Sequence, residues 1–302
     1  MKKLFLVLIG AVVLICAGAY VLKTLKKTTK TETTTSNTTI QVVAAENFYG
    51  DVVKQLGGDH VSVTSILSDP NVDPHEYESN VQDSVALSKA NIVIKNGLEY
   101  DTWINKLLAA SPNQNRIVLS GGDIAPHKLP DNPHVWYGVD NMSAVAAAIT
   151  DSLKKIDPAD VATFDINLKT FQNSLTPLQQ KMDEVKTKYN GTPVGLTETI
   201  YLYQTEPMGL KVLTPFEFEK AIAEGNDPPA SSVKITNDQV NKKQVKILIY
   251  NSQTVTPITT NLQNAANQLS IPVIPVSETM PQNKTYQMWM MDQLTAVEKA
   301  LQ

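Results

Sequence analysis

Residues 157–191 read DPADVATFDINLKTFQNSLTPLQQKMDEVKTKYNG, and the spacing of their apolar residues decides the architecture. Phe164, Leu168, Phe171, Leu175, Leu178, Met182 and Val185 recur at alternating intervals of four and three, which lays one continuous stripe along a helix. Asp157-Pro158 reads as its start, with Asp as cap and Pro in the first turn. Asn190-Gly191 reads as its stop. At ~1.5 Å per residue, a helix from about 158 to about 188 is roughly 45 Å long, the height of a two-lobed molecule. An ordinary surface helix would carry the same stripe, but the length favours a connecting helix packed along both lobes. Pro177 is expected to kink it or remove a hydrogen bond.

On either side, short apolar runs alternate with amphipathic segments. Before the helix the runs are Ile40 to Ala44, Val61 to Leu67, Ile92 to Lys95 and Ile117 to Leu119; after it they are Val194 to Leu196, Lys211 to Leu213, Ile247 to Tyr250 and Val273 to Val276. Helical patterns lie between them at Phe48 to Leu56, Val81 to Ala90 and Asn237 to Lys243. Strand–helix alternation of this kind predicts parallel sheets covered by helices on both faces. The expected fold is therefore α/β, with two lobes, each a parallel sheet flanked by helices, joined by one long backbone helix. The divisions are an N-terminal lobe over 40–156, the connecting helix over 157–190 and a C-terminal lobe over 191–302.

The first 39 residues read differently. A basic Met1-Lys2-Lys3 precedes an uncharged apolar run from Leu4 to Leu22, long enough to cross a bilayer. It is read over 1–22 as a signal or anchor, and three forms stay open: cleavage near Ala17-Gly18-Ala19, lipidation of Cys16, or an uncleaved anchor. Ile15 stands where a lipidation signal expects a small residue. Basic residues on both sides of the run leave its orientation open. Residues 23–39 are Thr- and Lys-rich without apolar periodicity and read as a flexible tether. The chain's 302 residues carry a formal charge of −4 and no basic stripe with interleaved aromatics, which argues against nucleic acid as a partner. With Cys16 the single cysteine, a thiolate-held zinc or iron–sulfur site in the folded part is excluded.

The histidines are His60, His75, His127 and His134. His60, in Gly57-Gly58-Asp59-His60, reads as an exposed turn residue. His75 and His134 share a device: Asp73-Pro74-His75-Glu76-Tyr77 and Asn132-Pro133-His134-Val135-Trp136 each place a backbone-stiffening Pro before the His, in a loop. His75 follows a predicted strand, where ligands of open α/β sheets bind. Imidazole is the commonest protein ligand for divalent transition metals, so two such loops in one lobe suggest a shared metal site. Glu198, just beyond the run ending at Leu196, is either a helix-start carboxylate or a ligand facing the histidines across a cleft. Glu278, at the end of the last predicted strand, is a candidate for a fourth oxygen ligand.

On these segments, together with Thr197-Glu198, Tyr201, Tyr203 and Tyr286 to Met291, the sequence resembles the metal-binding solute-binding proteins of bacterial zinc/manganese ABC importers, the group of adhesin-type lipoproteins. The resemblance covers about residues 40 to 302. It implies a metal held between the lobes, with His75 and His134 as the first two ligands and Glu198 as the third. The family's fourth ligand is usually an Asp shortly before the Tyr of the final helix. Pro281 to Thr285 holds no carboxylate, so Glu278, Asn283 or a water fills that place. Gly138 stands where an Asp is common, and the His-rich loop of many zinc binders is absent, with His127 the nearby candidate. The implied protein is not an enzyme. It is an extracytoplasmic, membrane-associated monomer that captures Zn2+ or Mn2+ for an ABC permease, with zinc slightly preferred. A binder of an organic or chelated ligand, or a zinc hydrolase, are the alternatives; no His-Glu-x-x-His helix supports the latter.

Overall fold

The computed structural model describes residues 39–69, 72, 74 and 77–302. The apolar run at 1–22, Cys16, the tether to residue 38 and His75 lie outside the described residues. Among the described residues, no helix is long and apolar enough to cross a membrane. Thr39–Gln302 forms one compact unit.

The N-terminal half holds β1 (Ile40–Glu46), α1 (Asn47–Gly57), β2 (Val61–Leu67), α2 (Val81–Lys89), β3 (Ile92–Lys95), α3 (Thr102–Ala110), β4 (Ile117–Ser120) and α4 (Val139–Ile156). Its four strands are parallel in the order β2-β1-β3-β4. β1 and β3 are buried almost without alternation, because helices cover both faces. The C-terminal half repeats the plan with β5 (Pro193–Leu196), β6 (Lys211–Val212), α6 (Phe216–Ala223), α7 (Ala230–Asn241), β7 (Leu248–Asn251), α8 (Pro257–Gln268), β8 (Val273–Val276) and α9 (Tyr286–Leu301), in the order β6-β5-β7-β8. All eight strands fall on the runs expected from sequence. In each sheet the chain leaves the first strand in one direction and later returns on its other side. The crevice beyond the carboxyl ends of β1 and β3, and of β5 and β7, is thus a topological switch point.

Between the halves runs α5 (Val161–Tyr189), 29 residues and so about 43 Å long. It buries Phe164, Phe171, Leu175, Leu178, Met182 and Val185, with Leu168 partly buried, and continues through Pro177. Its start corrects the sequence expectation. Asp160, not Asp157, precedes the first turn, and Asp157 instead ends α4. The stop is as expected: Asn190 closes the helix, and Gly191 takes φ 76°, a left-handed conformation that favours glycine. α5 packs on α1 and α4 from the first half and on α9 from the second. One apolar core therefore runs from Ile40 through Val194 to Leu301. An aromatic cluster joins the halves inside it, with Phe48 stacked on Trp136 at 4.7 Å and Trp289 at 6.0 Å from Phe48.

Candidate metal centre

Polar residues are buried where the strands end. Glu46 closes β1, Asn96 follows β3, Thr197 and Glu198 follow β5, and Asn251 closes β7; all are at most 1% exposed. Burial of so many polar groups at one level requires partners or a ligand there.

His134 stands at the centre. The loop after β4 carries Asn132-Pro133-His134 into a 3-10 turn, Val135–Tyr137. Asn132 Nδ2 donates to the Thr199 carbonyl at 2.8 Å. A carbonyl can only accept, so this bond turns Asn132 Oδ1 toward His134, where it accepts from the backbone N–H at 3.0 Å and from Nδ1 at 2.8 Å. With Nδ1 carrying the hydrogen, the ring's lone pair sits on Nε2, the nitrogen suited to a cation. Because Thr199 belongs to the C-terminal half, the imidazole is aimed by a bond that spans both halves.

His134, Glu198 and Glu278 each offer one donor atom, and these atoms lie within 4.8 Å of one another. All three residues are buried. Glu278 is held from both halves: Tyr100 donates its hydroxyl to Oε2 at 2.7 Å, and Asn251 and Thr254 donate to Oε1. Burial, then the negative Glu278, push the Tyr100 phenol well above its ordinary range, so it stays a neutral donor. The Gln253 amide fixes the backbone here. Its oxygen accepts from Glu278 N–H at 2.7 Å and Thr279 N–H at 2.9 Å, and its nitrogen donates to the Val72 carbonyl at 2.8 Å. Val72 lies in the loop between β2 and α2, so one side chain ties that loop to the Glu278 backbone.

Behind Tyr100 lies a buried acid pair. Burial, then repulsion from Asp101, raise the Glu46 carboxyl well above the usual range. Burial raises Asp101 as well, against the N–H groups of Gly97 and Asn96 that it accepts at 2.9 and 2.6 Å. Those two bonds brace a left-handed run, with φ of 77°, 52° and 65° at Gly97, Leu98 and Glu99. The braced loop presents Tyr100 to Glu278. It also rims a crevice of 670 Å³ lined further by Asn132, Pro133 and Lys220, across which Lys220 pairs with Asp131 at 2.7 Å.

Three of the four residues expected from sequence are thus brought together, and the fourth, His75, lies outside the described residues. His127 is elsewhere: it is exposed, with Nε2 3.2 Å from Glu206. Asn283 has φ 60° and is exposed, whereas the three gathered residues are buried. Gly138 fits its place sterically, since a Cβ would lie 2.8 Å from Asn141 Nδ2, which caps the Val135 and His127 carbonyls. The His134 ring is oriented by Asn132. Asn132, Tyr100, Asn251 and Gln253 escaped sequence reasoning. The signal for Asn132 was local, an Asn two residues before a His across a Pro, the setting of an Asx turn.

The family model described as the periplasmic zinc-uptake complex component A, ZnuA, matches residues 42–300. The chain belongs to the ZnuA family. Its curated relatives include the manganese ABC transporter substrate-binding lipoprotein ScaA of Streptococcus gordonii, 31% identical over 177 residues, or 54% of this chain and 56% of that one. They also include PsaA of Streptococcus pneumoniae, described in the same words, 30% identical over 173 residues, or 53% and 55%. The matches thus span about half the length of these relatives. Among solved structures, the fold matches the periplasmic zinc-binding protein TroA of Treponema pallidum with a TM-score of 0.74 at 18% identity, covering 86% of this chain and 98% of that one. The binding protein FpvC of Pseudomonas aeruginosa, solved with Mn2+, matches at 0.72 and 20% identity, covering 87% and 98%. These likenesses establish the two-sheet fold with its long helix. Both curated relatives are described as substrate-binding lipoproteins of manganese ABC transporters.

Proposed function

We propose that this ZnuA-family chain is an extracytoplasmic carrier that captures one divalent transition-metal ion, zinc or manganese, and delivers it to an ABC permease. The observation that carries the reading is the convergence of His134, Glu198 and Glu278 on one buried point between the two sheets. An imidazole nitrogen and two carboxylate oxygens suit a borderline cation, and its two charges offset those of the carboxylates. His75 supplies a second imidazole on the sequence argument. Magnesium and calcium, which prefer all-oxygen shells, fit this set poorly. Burial of all three donors favours a carrier over a hydrolase, which needs a ligand position open to substrate. The 670 Å³ crevice is rimmed by Tyr100 and Asn132, the residues that hold Glu278 and His134. Since α5 and the shared core bind the halves together, release proceeds through small tilts or local loop movement, not through a wide hinge. The apolar N-terminal run directs the chain out of the cytoplasm, as a cleaved signal, a lipidated segment or an uncleaved anchor.

The test is calorimetric titration of the chelator-stripped full chain in detergent with Zn2+ and with Mn2+, beside His75→Ala and His134→Ala. One tight site, abolished in both variants, is expected, and the two titrations rank the ions. Tight binding untouched by both substitutions, or no tight site in the parent, overturns the reading and favours an organic or chelated ligand.

A further inference from the structure

A second group of metal-ligating side chains lies at the other end of the N-terminal sheet. His60 sits in a one-turn 3-10 helix, Gly58–His60, immediately before β2, while Glu46 and the buried cluster lie beyond the carboxyl ends of the strands. β2 has seven residues at ~3.3 Å each, so roughly 20 Å of sheet separates the two places. His60 is not the exposed turn residue expected from sequence. Its side chain is 19% exposed, and its ring packs edge-on against Phe164 of α5 at 5.4 Å. That contact turns Nδ1 toward Asp157 Oδ2 at 3.5 Å and Asp160 Oδ2 at 3.3 Å. Donor atoms of all three residues lie within 4.8 Å of one another.

Two independent features point to a cation among them. The first is spacing. A charge-assisted hydrogen bond from an imidazolium to a carboxylate closes to ~2.7–2.9 Å, and neither contact does. With metal–ligand bonds of ~2.0–2.1 Å, the edge of a coordination tetrahedron is ~3.3–3.4 Å; the Asp160 contact of 3.3 Å equals it and the Asp157 contact of 3.5 Å lies just beyond it. The second is the helix dipole. Asp157 ends α4, where the unpaired carbonyls already concentrate negative charge and an acidic residue is unfavourable without a cation. The nearby Lys154 is engaged by Asp165 at 2.5 Å and Asp151 at 3.4 Å. The Asp157 side chain is also pre-aimed: Oδ1 accepts the Ala159 N–H at 3.3 Å, which leaves Oδ2 facing His60.

We propose that His60, Asp157 and Asp160 form a second, weaker binding site for a divalent transition-metal ion, pinning the α4–α5 junction to the start of β2. One imidazole and two carboxylates suit zinc, with water completing the coordination on the exposed side. The site stands apart from the buried cluster and does not depend on its function.

The full chain in detergent, stripped with chelator, is titrated with Zn2+ by calorimetry, and bound zinc is counted after equilibrium dialysis. Two equivalents are expected in the parent, the second bound at least 100-fold more weakly. His60→Ala and Asp160→Asn are each expected to bind one equivalent at the parent's tight affinity. His134→Ala is expected to bind one equivalent at the weak affinity, so that failure of the buried site and failure of this one are told apart. Asp160 makes no side-chain cap to α5, so Asp160→Asn keeps the helix start even if His60→Ala loosens the fold. Circular dichroism of the metal-free variants checks this. A single equivalent in the parent, or a second equivalent retained in both His60→Ala and Asp160→Asn, overturns the proposal.

Discussion

Among the described residues stand two groups of one imidazole and two carboxylates, built to opposite standards. His134, Glu198 and Glu278 are at most 1% exposed, whereas the side chains of His60, Asp157 and Asp160 are 19%, 24% and 30% exposed. The buried group sits inside a web of neutral donors and acceptors drawn from both halves: Asn132 on the imidazole, and Tyr100, Asn251 and Thr254 on Glu278. The exposed group has one aromatic contact and one turn hydrogen bond to orient it. The donor types are the same in the two groups, so only burial and support distinguish them. Burial raises the local field and lowers the cost of reorganisation, and the surrounding hydrogen bonds set which atom of each donor faces the ion.

The sharpest way to break the comparison is to remove a buried donor. Glu198→Gln keeps the shape, removes a charge, and is expected to weaken zinc at the buried site by more than 100-fold while leaving the weaker site unchanged. A titration in which both sites weaken together would show that they are not separate.

The next largest effect concerns the web rather than the ligands. Asn132→Ala removes the acceptor at Nδ1 and is expected to cost ~10–100-fold in affinity, as for other partners of ligating histidines. Asn132→Asp restores an acceptor oxygen and is expected to recover most of the loss. Equal losses in both variants would instead assign Asn132 a purely structural part in linking the halves through Thr199. The smallest effect separates the groups by solvent. Raising ionic strength from about 0.01 M to about 0.5 M shortens the screening length from ~30 Å to a few Å, and is expected to weaken the exposed site a few-fold while hardly changing the buried one. A calorimetric series in salt reads both at once.

Much of the fold was legible because its signals are periodic and local. The four-and-three stripe of α5 survives any packing, and the eight apolar runs had no helical spacing to compete with. α4 was missed although it buries Met142, Val145, Ala146, Ile149 and Leu153. Ala144, Ala146, Ala147 and Ala148 lie on its several faces and blur the contrast that a hydrophobic stripe needs. That omission produced the misplaced start of α5, since Asp157 reads as an N-cap only when no helix is seen to end there. α7 likewise begins at Ala230, ahead of the expected Asn237, and its early turns are polar, with Ser232 and Thr236 donating their hydroxyls to carbonyls three and four residues back.

The sequence by itself determined the alternation of strands and helices, the long helix, and the Pro-stiffened loop that carries His134, because period and backbone restriction act over a few residues. Tertiary structure alone decided what stands around each histidine. Glu278 reaches the buried group because Tyr100, 178 residues earlier, holds it there. Asn132 becomes an orienting residue through a carbonyl 67 residues later, and His60 gains two carboxylates where α4 meets α5. Such meetings depend on how helices and sheets pack, and no local pattern encodes the distance between side chains that approach only after the chain has folded.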